Sequence, residues 1–443
     1  MKGVLFMVHD KNSKFNLLLL LSLCIFVNIG VFSLFLYQTN ILHQYKFLTL
    51  ISGIAFAFLF CEIFCLLLYW CIHHQIKNGL KYAITHARLE KKIRKQLIDC
   101  ESGFGVINYF GKERVAIIPK IKLYLDKNLN YGQVILTSHI KYSNRLENID
   151  LSPALNNYIV IEQYFSDDMN SIIFEIEDSS VNNHLTFESY KDLQAYSKRQ
   201  GDYMLVIDKK YSVPLSSLLI TGSVGSGKTY ALYGLLGCMM SWSIKPILYL
   251  ADPKNSSLYT LAYRIMPERA YGTPENIVNG LDIFYDKMLK RQIQIQKLLH
   301  QKLDSDYREF NLQPLVFIID EMSAFISVVN GYKKDVRDRV HMILRQIVLM
   351  GRQLGCFLWV LQQKSDASDL PTAIRDNLIF KVCLGNVPRT TYITTFETSD
   401  IPPKKLKSGE GYFTYMGLTR DPQFISFPTL NFNILKEFIE ANN

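Results

Sequence analysis

Residues 217–229 read SLLITGSVGSGKT. An apolar run, Leu218-Leu219-Ile220, enters a turn that fits G-x-x-x-x-G-K-[ST] in full, from Gly222 to Thr229. Glycines in such a turn let the backbone curl until its N–H groups surround phosphate oxygens, and the helix that follows adds a favourable dipole. Lys228 is expected to reach the β- and γ-phosphates and the Thr229 hydroxyl to bind Mg²⁺. The nucleotide-contacting stretch is expected to be Gly222, Ser223, Val224, Gly225, Ser226, Gly227, Lys228, Thr229 and Tyr230.

Downstream, short β-rich runs alternate with longer helical ones. Strands are expected at Pro246 to Ala251, Leu315 to Ile319 and Phe357 to Leu361, with helices to about Trp242, over about Pro274 to Leu303, and over Lys334 to Leu354. This alternation predicts a parallel sheet covered by helices. The run Leu315 to Ile319 ends in Asp320-Glu321, which places two carboxylates at the C-terminal edge of a buried strand, where open α/β sheets bind ligands. Asp320 is expected to hold Mg²⁺, and Glu321 to orient and polarise the attacking water. The strand Phe357 to Leu361 runs into Gln362-Gln363-Lys364, and an amide at such a tip can sense the γ-phosphate. A basic set, Lys333, Lys334, Arg337, Arg339, Arg345 and Arg352, lies on or beside one helical stretch, and Arg375, Lys381 and Arg389 follow. A ring-forming nucleotide hydrolase needs a cation at its neighbour's phosphates; a solvated helix face explains any single member equally well.

The N-terminal part is of another kind. Phe15 to Tyr37 is a run of 23 uncharged residues, and Phe47 to Ile72 is a run of 26 whose one charge is Glu62. At about 1.5 Å per residue either crosses a bilayer as a helix. Lys2, Lys11 and Lys14 precede the first run and seven Lys and Arg between residues 73 and 100 follow the second, against Lys46 alone in the link. The distribution predicts a two-span hairpin in the cell membrane with both termini cytoplasmic. Reduced thiols agree: the 8 cysteines form no CxxC. His73 to Leu97 reads as a basic amphipathic helix, lying along headgroups or forming a stalk, and residues 101–200 as a small, net acidic α+β module. The expected organisation is thus 1–73 membrane hairpin (spans about 15–37 and 47–72), 74–100 juxtamembrane helix, 101–200 small α+β domain and 201–443 nucleotide-binding domain. With hydrophobic residues at 49% the chain is not disordered, and its net charge of +9 suggests an anionic partner.

The run from Ser217 to Thr229, then Ala251-Asp252-Pro253-Lys254, the strand ending Asp320-Glu321, Gly351-Arg352-Gln353-Leu354-Gly355 leading to Gln363-Lys364, and Gly409-Glu410-Gly411 together resemble the FtsK/SpoIIIE family of DNA-pumping ATPases. The motifs keep the family's order over about residues 201–420. The resemblance implies a RecA-like P-loop ATPase that assembles as a ring, usually a hexamer, and moves DNA with ATP and Mg²⁺. It puts Gln363 in the sensor position, beside the catalytic Glu321 and Lys228, and Lys381 or Arg375 as the cation acting in trans. The chain looks most like the short FtsK-type coupling proteins of Gram-positive conjugative elements, whose partners include a relaxase and transfer-channel proteins. Protein export, and a membrane-anchored nucleotide switch or scaffold, are the competing expectations.

Overall fold

The computed structural model describes residues 27–36, 38, 47–99, 105–107, 114–116, 118–137, 149–300, 302–363, 370–401 and 404–440. The chain divides between Val181 and Asn182 into two compact units. The division falls earlier than residue 200, because the helix Tyr190–Gln200 packs into the second unit: Tyr190 and Leu193 belong to that unit's core. Residues 182–200 therefore belong with the nucleotide-binding fold.

In the first unit, Phe47–His73 is one continuous apolar helix, and among the described residues it is the one long and apolar enough to cross a membrane, over Gly53–His73. The other expected span is described only as the shorter apolar helix Val27–Leu36; residues 15–26 and 37 of that run lie outside the described residues. A turn at His74 and Gln75, a 3₁₀ turn Ile76–Asn78 and Gly79 lead into the helix Leu80–Asp99. Its buried stripe, Tyr82, His86, Leu89, Ile93 and Leu97, recurs at helical spacing. The lower part of that stripe roofs a four-stranded antiparallel sheet whose spatial order is Lys120–Leu125, Tyr131–Thr137, Ser171–Asp178, Tyr158–Phe165. Leu123, Val134, Leu136, Ile172, Phe174 and Ile176 supply the sheet's inward face. The helix that the sequence left as a headgroup-bound or stalk element is thus the cover of the small domain. One face of the sheet would otherwise be apolar and bare.

In the second unit we number the sheet strands and principal helices as follows: β1 Leu218–Gly222, α1 Lys228–Met240, β2 Ile247–Ala251, α2 Ser257–Ile265, β3 Ala270–Tyr271, α3 Pro274–Leu299, β4 Leu315–Ile319, α4 Met322–Val329, α5 Lys334–Leu354, β5 Cys356–Gln362, β6 Phe380–Leu384, α6 Arg389–Phe396, β7 Glu410–Tyr415 and β8 Gln423–Ser426. They form one eight-stranded sheet in the order β3-β2-β4-β5-β1-β6-β7-β8. The strands from β3 to β6 are parallel; β7 and β8 add antiparallel. β1, β4, β5 and β6 are buried along their whole length, as strands covered on both faces must be, which is why they read as continuous apolar runs. β5 separates the phosphate-loop strand β1 from the carboxylate strand β4, the RecA-like order. The fold is therefore an α/β P-loop domain preceded by a small α+β domain.

Candidate nucleotide site

The parallel strands end on one edge of the sheet. That edge carries Gly222 at the end of β1, Asp252 after β2, Asp320 and Glu321 after β4, Gln362 and Gln363 at the tip of β5, and Gly385 after β6. The loop from Gly222 to Gly227 turns on left-handed residues, with Gly227 at φ 98° immediately before α1. A Cβ on Gly227 would stand 2.7 Å from the main-chain N of Gly409. The reason is a hydrogen bond: Gly409 N–H donates to the Ser226 carbonyl at 2.8 Å, and Phe427 N–H donates to the Gly409 carbonyl at 2.9 Å. The Gly409-Glu410-Gly411 motif is thus the back wall of the phosphate loop. Gly385 N–H, donating to the Glu410 carbonyl at 2.9 Å, ties β6 into the same wall.

Lys228 Nζ donates to the carbonyls of Gly222 at 2.6 Å and Ser223 at 3.1 Å, so its ammonium is folded over the loop. Burial lowers its pKa, and the nearby Glu321 and Asp320 carboxylates oppose that shift. Thr229 follows it on the first turn of α1, half-buried. Val224 and Tyr230, also expected to contact nucleotide, are exposed, Val224 at the loop tip and Tyr230 on α1 with its ring against Tyr233.

Asp320 is half-buried, and burial, with Asp252 and Glu321 adding, pushes its carboxyl up to about 6. Glu321 is held in the left-handed region at φ 58°, uncommon for a residue with a side chain. Its Oε1 accepts from Ser323 Oγ at 2.8 Å and from Gln363 N–H at 3.3 Å, and its Oε2 pairs with Lys254 Nζ at 3.2 Å. The carboxylate is therefore oriented by three groups from three segments. Asp252, buried, is a capping residue: it accepts from the main-chain N–H of Lys254, Ser256 and Tyr259 and from Ser256 Oγ, which fixes the entry to α2.

Sequence reading placed Lys228, Thr229, Asp320 and Glu321 on this edge, and the structure brings them together. It missed two contacts. Gln363 reaches Glu321 through its main-chain N–H, a contact that no side-chain pattern announces. Lys254, quoted only as part of a motif, is the ionic partner of the glutamate. Gln362, passed over for Gln363, is fully buried with both amide atoms lacking a hydrogen-bond partner among the described residues. Lys364 lies outside the described residues. Of the cations considered for action in trans, Lys381 is buried in β6 and pairs with Glu397 of its own chain at 3.2 Å, and Arg375 is largely buried beside Asp376. Arg339 pairs with Asp282 on the surface.

The donor set fits a Mg²⁺–nucleoside triphosphate: an ammonium over a loop of backbone N–H groups, a hydroxyl one residue on, and two carboxylates facing them. It is the donor set of a P-loop nucleotide site.

No family model matches the chain. Among curated proteins, the FtsK domain-containing protein YdcQ of Bacillus subtilis (strain 168) is 29% identical over 201 residues, which make up 45% of this chain and 40% of that protein. The chain thus spans well under two thirds of the curated relative it matches. Among solved structures, the monomer form of the pCW3 conjugation coupling protein TcpA with ATPgS is 16% identical, covering 80% of this chain and 98% of its own at a TM-score of 0.49. The cytoplasmic domain of the Thermomonospora curvata type VII secretion ATPase EccC is 18% identical, covering 51% and 28% at a TM-score of 0.39. The domain name of the curated relative agrees with the family resemblance carried by the motifs.

Proposed function

We propose that the protein is a membrane-anchored, ATP-driven DNA translocase, working as a ring, that feeds DNA to a conjugative transfer channel. One observation carries the motor reading. Glu321 is held by Ser323 and Gln363 with one carboxylate oxygen left to a half-exposed lysine, at the same sheet edge as the phosphate loop. A site that only binds nucleotide has no use for an oriented base. The FtsK resemblance supplies the expectation that the cargo is DNA, and the helix Phe47–His73 supports the anchor.

On this reading Lys228 leaves the loop carbonyls to neutralise the β- and γ-phosphates. Thr229 and Asp320 would hold Mg²⁺, which supplies charge neutralisation at the phosphates when bound. Glu321 Oε1 stays fixed while Oε2 exchanges Lys254 for the attacking water and takes its proton. The exchange is easy, because an ion pair to a half-exposed lysine contributes about 1 kcal/mol or less. Gln362 and Gln363, at the tip of the strand between the loop and the carboxylates, stand where a change at the γ-phosphate reaches both. The two-span topology, the hexamer, the trans cation, and the relaxase and channel partners belong to the same proposal.

The experiment is ATP hydrolysis by the full chain in detergent with and without DNA. Contacts to phosphates are salt-sensitive and sequence-tolerant. DNA should therefore accelerate hydrolysis, with a gain that fades as salt rises and varies little with base sequence. An unchanged rate with DNA of either strandedness, in a preparation that is visibly ring-shaped, refutes the DNA reading and puts protein export first.

A further inference from the structure

Where the apolar helix Phe47–His73 ends, the chain turns sharply. His73 and His74 stand on one side of the corner, and the helix Leu80–Asp99 returns along the other. His86 and Glu90 are four residues apart on that helix and so share a face. The result is a cluster of three imidazoles and a carboxylate. His73 Nε2 lies 3.0 Å from Glu90 Oε2, His74 Nδ1 lies 3.9 Å from the same oxygen, and His74 Nδ1 lies 3.0 Å from His86 Nδ1. The ligand atoms of His73, His74 and Glu90 all fall within 4.8 Å of one another.

Two ring nitrogens facing each other at 3.0 Å need a shared proton or a shared cation. The tautomer shows what His86 offers. Its Nε2 lies 3.0 Å from the Leu123 carbonyl, which can only accept, so Nε2 carries the hydrogen and Nδ1 presents a lone pair to the cluster. A backbone carbonyl that orients the remote nitrogen of an imidazole is the usual support of a metal-bound histidine. The surroundings are aromatic: Trp70 meets His74 edge-on at 5.0 Å, and Tyr82 lies 6.1 Å from His86. His74 and His86 are both at least nine-tenths buried. Glu90 turns its other oxygen toward Arg94 Nη2 at 3.8 Å, which leaves Oε2 to the histidines.

We propose that His73, His74, His86 and Glu90 form a binding site for one divalent transition ion, of the Zn²⁺ class, at the junction of the membrane helix and the small domain. Imidazole nitrogen and carboxylate oxygen hold zinc at about 2.0–2.2 Å, so neighbouring ligand atoms of a tetrahedron stand about 3.3–3.5 Å apart. Glu90 Oε2 stands 3.0 Å from His73 Nε2 and 3.9 Å from His74 Nδ1, either side of that spacing, and these three residues form the ligand core; His86, 3.0 Å from His74, reaches the same ion by turning in from its wider distance to the rest of the core. With His73, His74 and Glu90 as the core and His86 turning in as the fourth ligand, the ion is structural. It clamps the end of the Phe47–His73 helix to the helix that roofs the sheet, across a corner that is otherwise only a few residues of turn.

The test uses the full chain in detergent, carrying a tag without histidine and stripped with a chelator. Zn²⁺ is titrated in competition with a chromophoric chelator, and Co²⁺ is added separately as a visible-absorption probe. One ion should bind per chain, and Co²⁺ should give the intense visible bands of a tetrahedral nitrogen and oxygen site. His74→Ala and Glu90→Gln should each weaken binding at least about tenfold. His341→Ala, in the other unit, should change nothing. His73→Gln, at a half-exposed position, is the check should His74→Ala disturb the fold, and it too should weaken binding. Cys61, Cys65 and Cys71 are the alternative metal donors on the same helix. Binding that survives His74→Ala, Glu90→Gln and His73→Gln but vanishes when those cysteines become serine overturns the proposal. So does the absence of any site tighter than about 10 μM.

Discussion

Gly409→Ala separates the back wall of the phosphate loop from the loop itself. Gly409 has φ 83°, and the nearest atom to an added Cβ is the Phe427 carbonyl oxygen at 3.7 Å, so the space is open and the penalty is conformational. Holding alanine in the left-handed region costs about 1–2 kcal/mol. The chain has two ways to answer. If the backbone stays, the bonds to Ser226 and Phe427 survive, and the thermal midpoint should fall by a few degrees for a unit of this size. If the backbone relaxes, the strain is relieved but the Ser226 carbonyl loses its donor, at about 1 kcal/mol, and the loop loosens. Either way nucleotide affinity should fall by no more than about tenfold, since about 1.4 kcal/mol is a factor of ten. Gly227→Ala is the contrasting change: its φ of 98° carries the same strain, and its Cβ would meet the Gly409 nitrogen at 2.7 Å. That contact displaces backbone in the loop, and affinity should fall by roughly a hundredfold or more. A fluorescent ATP analogue titrated into both variants reads the difference, with a melting curve on each. Equal losses in the two variants, or a Gly409→Ala protein indistinguishable from the parent in both measurements, would refute the view that the late glycine motif supports the loop.

Glu321→Gln should bind ATP normally and hydrolyse it about 100-fold or more slowly, whereas Lys228→Ala should weaken binding itself; single-turnover assays and equilibrium titration distinguish them. Asp320 gives a pH signature. Its carboxyl is raised to about 6, so the folded protein holds that proton more tightly than the unfolded chain; stability without nucleotide is greatest below about pH 4, declines as pH rises towards 6 and is level above it. Asp320→Asn should therefore raise the stability at pH 7 by on the order of 1–2 kcal/mol given its half-exposure, read as a higher melting temperature, while abolishing Mg²⁺-dependent nucleotide binding. In the parent, Mg²⁺-dependent nucleotide affinity should weaken as pH drops through about 6, which a calorimetric titration at two pH values would detect.

The parallel core was legible because its strands are buried on both faces: Leu315–Ile319, Cys356–Gln362 and Leu218–Gly222 announce themselves as apolar runs, and their helices by length and period. The strands at the two ends of the sheet were not. β3, two residues long, carries no period, and β7 and β8 join the sheet antiparallel through residues 410–426, whose polar–apolar pattern resembles loop. At the site, residue types foretold Lys228, Thr229, Asp320 and Glu321, since each is needed for its own chemistry. The restraints on Glu321 were hidden because they come through a main-chain N–H at Gln363 and an ion pair to Lys254, and such contacts depend on tertiary placement. The small domain's boundary was misplaced for the same reason: the helix Tyr190–Gln200 has a capping serine and an amphipathic face that would suit either unit, and only its packing partner assigns it.

The wall behind the phosphate loop has a bearing on biosynthesis. The loop leaves the ribosome at residue 222, but the main-chain groups that steady it belong to residues 409 and 427, and Thr429–Leu430 pairs in parallel with Thr186–Phe187 from the beginning of the same unit. Even the two strands flanking β1 are translated long after it, β5 from residue 356 and β6 from residue 380. Contacts this distant in sequence form late. During synthesis the glycine turn must then wait, exposed, for nearly two hundred residues' worth of translation, and a nascent chain halted before residue 409 would carry the whole G-x-x-x-x-G-K-[ST] motif without a pocket for ATP. The phosphate loop gains its supporting wall only once residues 409 to 427 have been translated.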